Sequence, residues 1–470
     1  MAYEMEEAKR LVIDAGLKLQ QEGLIVRTWG NISARISDTE FVVTPSGKSY
    51  NTLTPDDIVV VNIKKCSYEG DVKPSSECGI HADVYAARPE VNFVIHTHQV
   101  YASVLSILGK DIELSSEEKN FLGDRIPCAQ YGMSSSPKLR KQVKKALKKS
   151  AGCSSMLLRN HGTLCMGTDF DNAFEISSVL EQVCKYQYEK LISGFDTISL
   201  AREEVSGAEE AVASEVAAEA VLSNGVTETE DAVAGAVAEE AGEAATEVMA
   251  VENAEVTEVA TVESDNEAAL DSWFEADESD LKGGYVDYGT SKIEGNEITL
   301  TLGEKEYTYH LGDKKPISRS IFKRSANKIA LIHSKIYEDR GVSFIYHVTL
   351  PNIVDISKKV QKGFVPYLDD QAQIVGDYTK LVGKTGKKPH FESGNAIAKG
   401  LKNCGAILIA GQGALCAGNS MDDLEATAYI LEKGCMAAKL ALCQAEAESV
   451  PGRIAKKERE FYTESYSKLK

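Results

Sequence analysis

The sequence contains an internal repeat with a fixed spacing of 251 residues. Residues 153–184 read CSSMLLRNHGTLCMGTDFDNAFEISSVLEQVC, and residues 404–435 read CGAILIAGQGALCAGNSMDDLEATAYILEKGC. Ten residues are identical between these blocks, and the same spacing places His96 of FVIHTH on His347 of FIYHVT. Because two separated blocks share one register, we expect the chain to contain two copies of one domain. Each repeated block predicts an apolar strand, a glycine-containing turn and a long amphipathic helix.

A strongly acidic segment separates the two copies. There is no lysine or arginine between Arg202 and Lys282, and 24 of the 71 acidic residues lie in residues 203–281. The rest of the chain therefore carries a net charge of +5, although the whole chain carries −19. Charge of one sign with few large apolar groups does not offset the entropy of ordering a segment. We therefore expect a first domain over residues 1–200, an acidic and disordered linker over residues 203–281, and a second domain over residues 283–470. A docked acidic helix is the alternative for the linker.

Cysteine usage and hydropathy favour a soluble protein of the cytoplasm. The ten cysteines form no CxxC pair, which is typical of reduced thiols rather than of a disulfide framework. The N-terminus, MAYEMEEAKRLVIDAGLKLQQEGLI, predicts an amphipathic helix and lacks the pattern of a signal peptide. No apolar stretch is long enough to span a bilayer, so we expect no membrane partner. The mildly basic remainder suits a phosphorylated small molecule and is weak evidence for binding nucleic acid, which we do not expect.

Three histidines of the first copy are candidate metal ligands. His96 and His98 lie two residues apart at the end of an apolar strand, so both side chains project from the same face. His161, in LLRNHGTL, directly follows another apolar strand. Three neutral imidazoles with one open or carboxylate-filled position describe a catalytic zinc site. Each histidine alone also fits a structural role in a strand or a turn, and it is the combination that favours a metal.

Three polar motifs of the first copy are candidates for binding an anion. TWGNISAR, residues 28–35, suits a tight turn, and VTPSGKSYNTLTPDD, residues 43–57, supplies hydroxyls and a glycine that lets a ligand approach the backbone. KPSSECGIHADVY, residues 73–85, predicts a helix capped by Ser75 or Ser76, with Glu77 in its first turn and with free N-terminal NH groups that favour phosphate. Capping or turn formation would explain each motif alone. The candidate anion-binding residues are Gly30, Asn31, Thr44, Gly47, Ser75 and Ser76.

The motifs GNISAR, TPSG, KPSSE, HTH and NHG together make residues 5–190 resemble the class II aldolase/adducin family, as does IPCAQYG at residues 126–132. This resemblance implies an α/β fold with three layers, α/β/α, around a central and largely antiparallel sheet, here duplicated in tandem. It also implies a homo-oligomer with active sites near subunit boundaries.

The resemblance also implies an activity and a role for each site residue. A class II aldolase is a metal-dependent carbon–carbon lyase, and here it would cleave a small ketose 1-phosphate such as L-fuculose 1-phosphate. The products would be dihydroxyacetone phosphate and an aldehyde, formed through a metal-stabilised enediolate. By this resemblance His96, His98 and His161 are Zn²⁺ ligands. Glu77 is the catalytic acid/base and a further ligand before substrate arrives, and the anion-binding residues form the substrate phosphate pocket.

The second copy departs from this pattern where chemistry would take place. His98 corresponds to Thr349 and His161 to Gln412, and no counterpart of PSSE or GNIS precedes FIYHVT. We therefore expect a degenerate second copy without a metal site, which pairs with the first copy as a pseudo-subunit.

Other functions in the same family stay open. Pentulose-phosphate epimerases typically have aspartate where Glu77 stands, whereas methylthioribulose-phosphate dehydratase-like members carry a glutamate. Ser116 stands where the related aldolases carry a tyrosine, so Tyr101, Tyr131 or a C-terminal tyrosine replaces it, or the aldehyde differs. A non-catalytic, adducin-like scaffold is the alternative from a different functional class.

Overall fold

The structure is a computed structural model. It describes residues 2–198, 281–282, 284–314, 317 and 324–464. The linker predicted over residues 203–281 lies outside the described residues, except for Leu281 at its end. None of the helices among the described residues combines the length and the apolar character that crossing a bilayer requires.

The first copy forms a mixed α/β unit. Its strands are β1 (Gly30–Arg35), β2 (Glu40–Val43), β3 (Val59–Asn62), β4 (Phe93–Thr97), β5 (Ile112–Glu113), β6 (Arg125–Ile126), β7 (Cys128–Ala129), β8 (Ser155–Leu158) and β9 (Gly162–Gly167). Its helices are α1 (Met5–Gln21), α2 (Cys78–Ala87), α3 (Val100–Ser106), α4 (Lys119–Leu122), α5 (Pro137–Lys149) and α6 (Phe170–Leu191).

Seven of these strands form one sheet in the order β3-β2-β1-β4-β9-β8-β7. Neighbouring strands are antiparallel except β7 and β8. The side chains of Val94 and Ile95 enter two different apolar clusters, because successive residues of a strand face opposite sides. Ile95 packs with residues of α1, α3 and α6, and Val94 packs with residues of α2 and α5. The sheet is therefore covered on both faces, and the predicted α/β/α arrangement is confirmed.

The second copy repeats this architecture. Its strands are β10 (Leu281–Lys282), β11 (Tyr285–Val286), β12 (Thr290–Glu294), β13 (Glu297–Leu302), β14 (Lys305–His310), β15 (Phe344–Val348), β16 (Gly363–Phe364), β17 (Thr379–Val382), β18 (Ala406–Ile409) and β19 (Gly413–Gly418). Its helices are α7 (Arg324–Arg340), α8 (Pro351–Lys359), α9 (Asp369–Ile374), α10 (Gly394–Gly400), α11 (Met421–Cys443) and α12 (Gly452–Glu464). The main sheet has the order β14-β13-β12-β15-β19-β18-β17-β16, which repeats the order of the seven strands in the first copy and adds β16 at one edge.

One hydrogen-bond pattern recurs at the repeat spacing. The carboxylate of Glu181 accepts bonds of 2.7 and 3.0 Å from two backbone amides at the start of α3. Glu432, 251 residues later, accepts bonds of 3.1 and 2.9 Å from two backbone amides at the start of α8. A buried or partly buried carboxylate at a helix N-terminus satisfies NH groups that have no partner within the helix. The tandem duplication is therefore visible in detail as well as in topology.

The two copies pack against each other as one compact unit. Helix α11 of the second copy lies against α3 and α6 of the first. Leu105 and Leu180 of the first copy share an apolar cluster with Leu431 and Met436 of the second. This contact brings the start of α9 and the helix α12 next to the edge of the first sheet, where His161 lies.

Candidate metal centre and active site

The side chains of the three histidines and Glu77 meet at one edge of the first sheet. His96 is in β4 and His98 directly follows that strand. His161 lies in the tight turn between β8 and β9, where Asn160 adopts a positive φ of 58°. Glu77 directly precedes α2 rather than lying in its first turn, so neither of the preceding serines caps this helix. One ligand atom from each of the four side chains lies within 4.8 Å of all the others.

The distances within this cluster fit a single ion. Nε2 of His96 is 3.2 Å from Nε2 of His98 and 2.9 Å from Oε2 of Glu77. Nε2 of His161 is 3.3 Å from the same carboxylate oxygen. Two ligands about 2.0–2.1 Å from a tetrahedral ion are about 3.3 Å apart. Three imidazoles and one carboxylate are also the ligand types that a catalytic divalent metal takes, so the residues present fit the implied ion.

The hydrogen bonds of the Nδ1 atoms of His96 and His161, which face away from the cluster, orient the rings so that the Nε2 atoms face into it. Nδ1 of His96 is 2.7 Å from the carbonyl oxygen of Thr163, which can only accept, so Nδ1 carries the proton. Nδ1 of His161 is 3.0 Å from Oδ2 of Asp369, a residue of the second copy. A ring that donates through Nδ1 leaves the lone pair of Nε2 for an ion.

Burial and mutual charge set the protonation of these groups. Burial alone would raise the pKa of Glu77, but His161 and His96 hold that pKa well below its usual value. Burial lowers the pKa of His98 to about 4, so this ring is neutral and able to bind a metal near neutral pH. Burial also disfavours charge on His161, yet Glu77 and Asp369 raise its pKa well above the usual value. An ion would take the place of the proton that His161 otherwise shares with Glu77.

A pocket adjoins the cluster and contains most of the predicted anion-binding residues. It is lined by Gly30, Asn31, Gly47, Ser75 and Ser76, together with Glu77, His98 and His161. Thr44 is buried behind this lining, and its hydroxyl accepts a hydrogen bond of 3.2 Å from the backbone of Ile32. Ser134 and Ser135 also line the pocket, although sequence reasoning did not select them. The run MSSSP before α5 offered a signal, because hydroxyls and free NH groups concentrate at helix N-termini.

Gly30 begins β1 rather than occupying a turn, and the space there requires a glycine. Its φ is 152°, and a side chain at this position would meet the backbone oxygen of His96 at 2.7 Å. The first residues of β1 therefore lie directly against β4, the strand that carries the candidate ligand His96.

His81 is a further polar residue of the site that sequence reasoning missed. The hydroxyl of Tyr85 is 2.8 Å from Oγ of Ser33, which is 2.6 Å from Nδ1 of His81. Nε2 of His81 is 2.5 Å from Oδ1 of Asn31, which can only accept a hydrogen bond. The Asn31 carbonyl is therefore occupied, and its NH₂ group is left for the pocket. Burial lowers the pKa of His81 to about 3 and keeps it neutral. The i, i+4 spacing of His81 and Tyr85 was the available signal.

The second copy also contributes to the pocket. Gln373 and Phe461 line it, and sequence reasoning missed both. Of the tyrosines proposed as a replacement acid, neither Tyr101 nor Tyr131 is among the described residues that line it. The hydroxyl of Tyr131 donates to Oδ1 of Asp369 over 2.8 Å, and the ring of Tyr101 packs against Tyr188.

Comparison with known proteins places these observations in a family. The sequence matches the family profile described as Class II Aldolase and Adducin N-terminal domain over residues 10–188 and 308–438. An L-fuculose phosphate aldolase of Haemophilus influenzae is 32% identical over 200 residues, which are 42% of this chain and 90% of that protein. A 5-methylthioribulose-1-phosphate/5-deoxyribulose-1-phosphate aldolase of Escherichia coli is 36% identical over 171 residues, 36% of this chain and 78% of that protein. Among solved structures, an L-fuculose 1-phosphate aldolase has 30% sequence identity and a TM-score of 0.37, with 42% of this chain and 92% of that chain covered. The two segments of the family match lie one in each copy, in agreement with the duplication.

Proposed function

The chain belongs to the class II aldolase and adducin family, and from this premise we propose that it is a zinc-dependent aldolase, a carbon–carbon lyase. Its substrate is a small ketose 1-phosphate such as L-fuculose 1-phosphate, which it cleaves to dihydroxyacetone phosphate and an aldehyde. One observation carries the proposal. One ring nitrogen of each of the three histidines and one carboxylate oxygen of Glu77 all lie within 4.8 Å of one another, beside a pocket lined by serines and Asn31.

The zinc ligands are His96, His98 and His161, with Glu77 as the fourth ligand before substrate arrives. When bound, the ion supplies Lewis-acid stabilisation, worth several kcal/mol, to the enediolate that carbon–carbon cleavage leaves. Glu77, His96 and His161 are buried and His98 is partly buried, which limits the screening of their charges by water.

The chain's own side chains bind the phosphate and move the proton. The NH₂ group of Asn31 and the hydroxyls of Ser75 and Ser76 hold the phosphate, and this anchoring fixes the reacting carbon relative to Glu77. Oε1 of Glu77 accepts a hydrogen bond of 3.0 Å from the backbone of Ser135, so the carboxylate stays aligned when substrate displaces it from the histidines. Its Oε2 then carries the proton to or from the carbon, an effect of about 10²–10⁴-fold.

A second candidate substrate follows from Phe461. This side chain lines the pocket and is 47% exposed, so it offers an apolar surface to the aldehyde half of a substrate. The two substrates named for the Escherichia coli relative, 5-deoxyribulose 1-phosphate and 5-methylthioribulose 1-phosphate, each have an apolar end that could pack against this surface. Epimerase and dehydratase activities would use the same pocket and remain alternatives to be separated by product.

The test is an assay of the full chain loaded with zinc, against L-fuculose, 5-deoxyribulose and 5-methylthioribulose 1-phosphates. Dihydroxyacetone phosphate is detected by its reduction with a coupling dehydrogenase. We expect release that a chelator abolishes and that added Zn²⁺ restores. Conversion of substrate without dihydroxyacetone phosphate would contradict cleavage and indicate an epimerase or dehydratase. Absence of both turnover and a stoichiometric ion would indicate a scaffold.

Two further expectations accompany the proposal. We expect a homo-oligomer in the cytoplasm, in which the second copy acts as a pseudo-subunit. Light scattering of the purified chain and fractionation of the producing cells would test these expectations.

A further inference from the structure

The turn that carries His161 is held from the side of the second copy. The side-chain amide of Asn160 donates hydrogen bonds to the carbonyl oxygens of Tyr367 and Glu448, over 2.9 and 2.6 Å. The backbone oxygen of Asn160 accepts a bond of 2.8 Å from the amide of Asp369. Three hydrogen bonds between Asn160 and the second copy therefore fix the turn. The residue after Asn160 is the candidate metal ligand His161.

The side chain of Asp369 extends this contact to the ligand itself. Its Oδ2 is 3.0 Å from Nδ1 of His161, and its Oδ1 accepts a hydrogen bond of 2.8 Å from the hydroxyl of Tyr131. The carboxylate is 1% exposed, and each of its oxygens faces a donor of the first copy. Leaving a buried carboxylate without partners is costly, so this side chain is built to meet these two groups.

Asp370 faces the second histidine at a longer distance and makes no hydrogen bond to its ring. Its Oδ2 is 3.5 Å from Nδ1 of His98 and also contacts the ammonium group of Lys433. The same ammonium donates to the backbone oxygen of His98 over 3.1 Å. Lys433 and Asp370 are both buried, so this ion pair is shielded from water. It links α11 to the start of α9, and Lys433 also bonds the residue that follows β4.

We infer that the degenerate second copy is a working part of the first copy's metal site, with Asp369 as the positioning residue for His161 and with the Lys433–Asp370 pair holding the backbone of His98. The inference rests on the proposed function, since it concerns the same ion. A carboxylate that accepts from Nδ1 fixes the ring's tautomer and orientation and makes Nε2 a better ligand. The second copy has lost its own ligands but supplies the outer contacts of the neighbouring ones.

The experiment measures zinc affinity on the full chain. Apo protein is titrated with Zn²⁺ against a chromophoric chelator, for wild type, Asp369→Ala and Asp369→Asn. The matched control is Asp355→Ala, because the carboxylate of Asp355 pairs with Lys439 inside the second copy, away from the site. We expect a loss of about 10–100-fold in affinity for Asp369→Ala, a smaller loss for Asp369→Asn, and no change for Asp355→Ala.

A spectroscopic readout separates positioning from general loosening of the fold. With Co²⁺ in place of Zn²⁺, the visible absorption of Asp369→Asn should differ from wild type in band position and intensity, whereas that of Asp355→Ala should not. If Asp369→Ala does not fold, the affinity and spectrum of Asp369→Asn decide. Wild-type affinity and spectrum in the folded Asp369 variants would overturn the inference and leave the proposed function standing. Failure of the wild-type chain to bind any stoichiometric ion would overturn the proposed function itself.

Discussion

The two copies share an internal framework and differ in what that framework holds. In both, a serine on a sheet strand bonds a histidine and a tyrosine of the helix behind it, namely Ser33 with His81 and Tyr85, and Ser291 with His333 and Tyr337. In the first copy the remaining nitrogen of His81 binds Asn31. In the second copy Gly289 occupies the position opposite His347 that Asn31 occupies opposite His96, and Nε2 of His333 has no hydrogen-bond partner among the described residues.

His347, the counterpart of His96 that the second copy retains, is also held by contacts within the fold. Nε2 of His347 is 2.8 Å from the backbone oxygen of Gln412, the residue that replaces His161. This ring is therefore satisfied by the fold alone. The comparison teaches that the serine–histidine–tyrosine contacts are common to both scaffolds, whereas the candidate ligand cluster and the contact between His81 and Asn31 belong to the first copy.

The largest expected difference is between His161→Ala and Gln412→Ala, which alter equivalent positions. Removing His161 takes away one of three imidazoles, so we expect loss of the stoichiometric ion and a fall in kcat on the order of 10⁴-fold. Gln412→Ala should keep both ion and activity, because the second copy has no ligand cluster among its described residues. Elemental analysis and the coupled assay measure both. Equal loss in the two variants would contradict the assignment of the site to the first copy.

Glu77→Gln separates proton transfer from metal binding. The amide cannot act as a base, so we expect kcat to fall by about 10²–10⁴-fold. The three histidines remain, so the ion should stay bound, though less tightly, when measured by chelator competition. A variant that retained wild-type kcat would show that Glu77 carries no proton. Glu446→Gln is the control, because it makes the same change at an exposed carboxylate that pairs with Lys110 and does not line the pocket.

The acids that the second copy places at the contact with the first should make stability depend on pH. Burial and the charge of Asp369 raise the pKa of Glu458 to about 7 from its usual 4.5. Between pH 4.5 and about 7 the folded state holds a proton that the unfolded state releases. The contribution of Glu458 to the free energy of unfolding is therefore complete below pH 4.5 and is lost as pH rises through about 7. We expect wild type to lose up to about 3 kcal/mol relative to Glu458→Gln across this window. Urea unfolding at pH 5 and pH 8 measures it.

The control for this pH effect is Glu446→Gln, whose carboxylate is exposed beside Lys110. It should follow wild type at both pH values. If wild type and Glu458→Gln kept the same stability difference at pH 5 and pH 8, the raised pKa would be contradicted.

The smallest expected effect compares His81→Leu with His333→Leu. Both lose the bond to a serine, worth about 1 kcal/mol, and His81→Leu also loses the bond to Asn31, so we expect His81→Leu to be destabilised more. Only His81→Leu frees the amide of Asn31, so only that variant should raise KM for the phosphorylated substrate, by about 10-fold, with little change in kcat. Thermal unfolding and steady-state kinetics measure the two effects. An equal rise of KM in both variants would remove the special role of His81.

The sequence predicted which side chains meet at the site better than it predicted the local backbone structure around them. The two-residue spacing of His96 and His98 placed both imidazoles on one side of a strand, and the structure brings His161 and Glu77 to the same point. Gly30 and Asn31 were expected in a turn but begin β1, because the sheet extends to the edge of the site. His81 went unnoticed because its partners, Ser33 and Asn31, are about 50 residues away along the chain.

What the sequence by itself determined is the duplication, because patterns of strand, turn and helix recur at a fixed spacing. The resemblance carried by its motifs predicted the α/β/α class, and the candidate ligands of the first copy are a prediction from the same motifs. Only the tertiary structure decided what the second copy does. Asp369 and Asp370 look like ordinary acids at the start of a short helix, and nothing in their neighbourhood along the chain marks them. They reach His161 and His98 because burial of α11 against α3 and α6 fixes the relative position of the two sheets, and such long-range packing leaves no periodic trace in a single sequence.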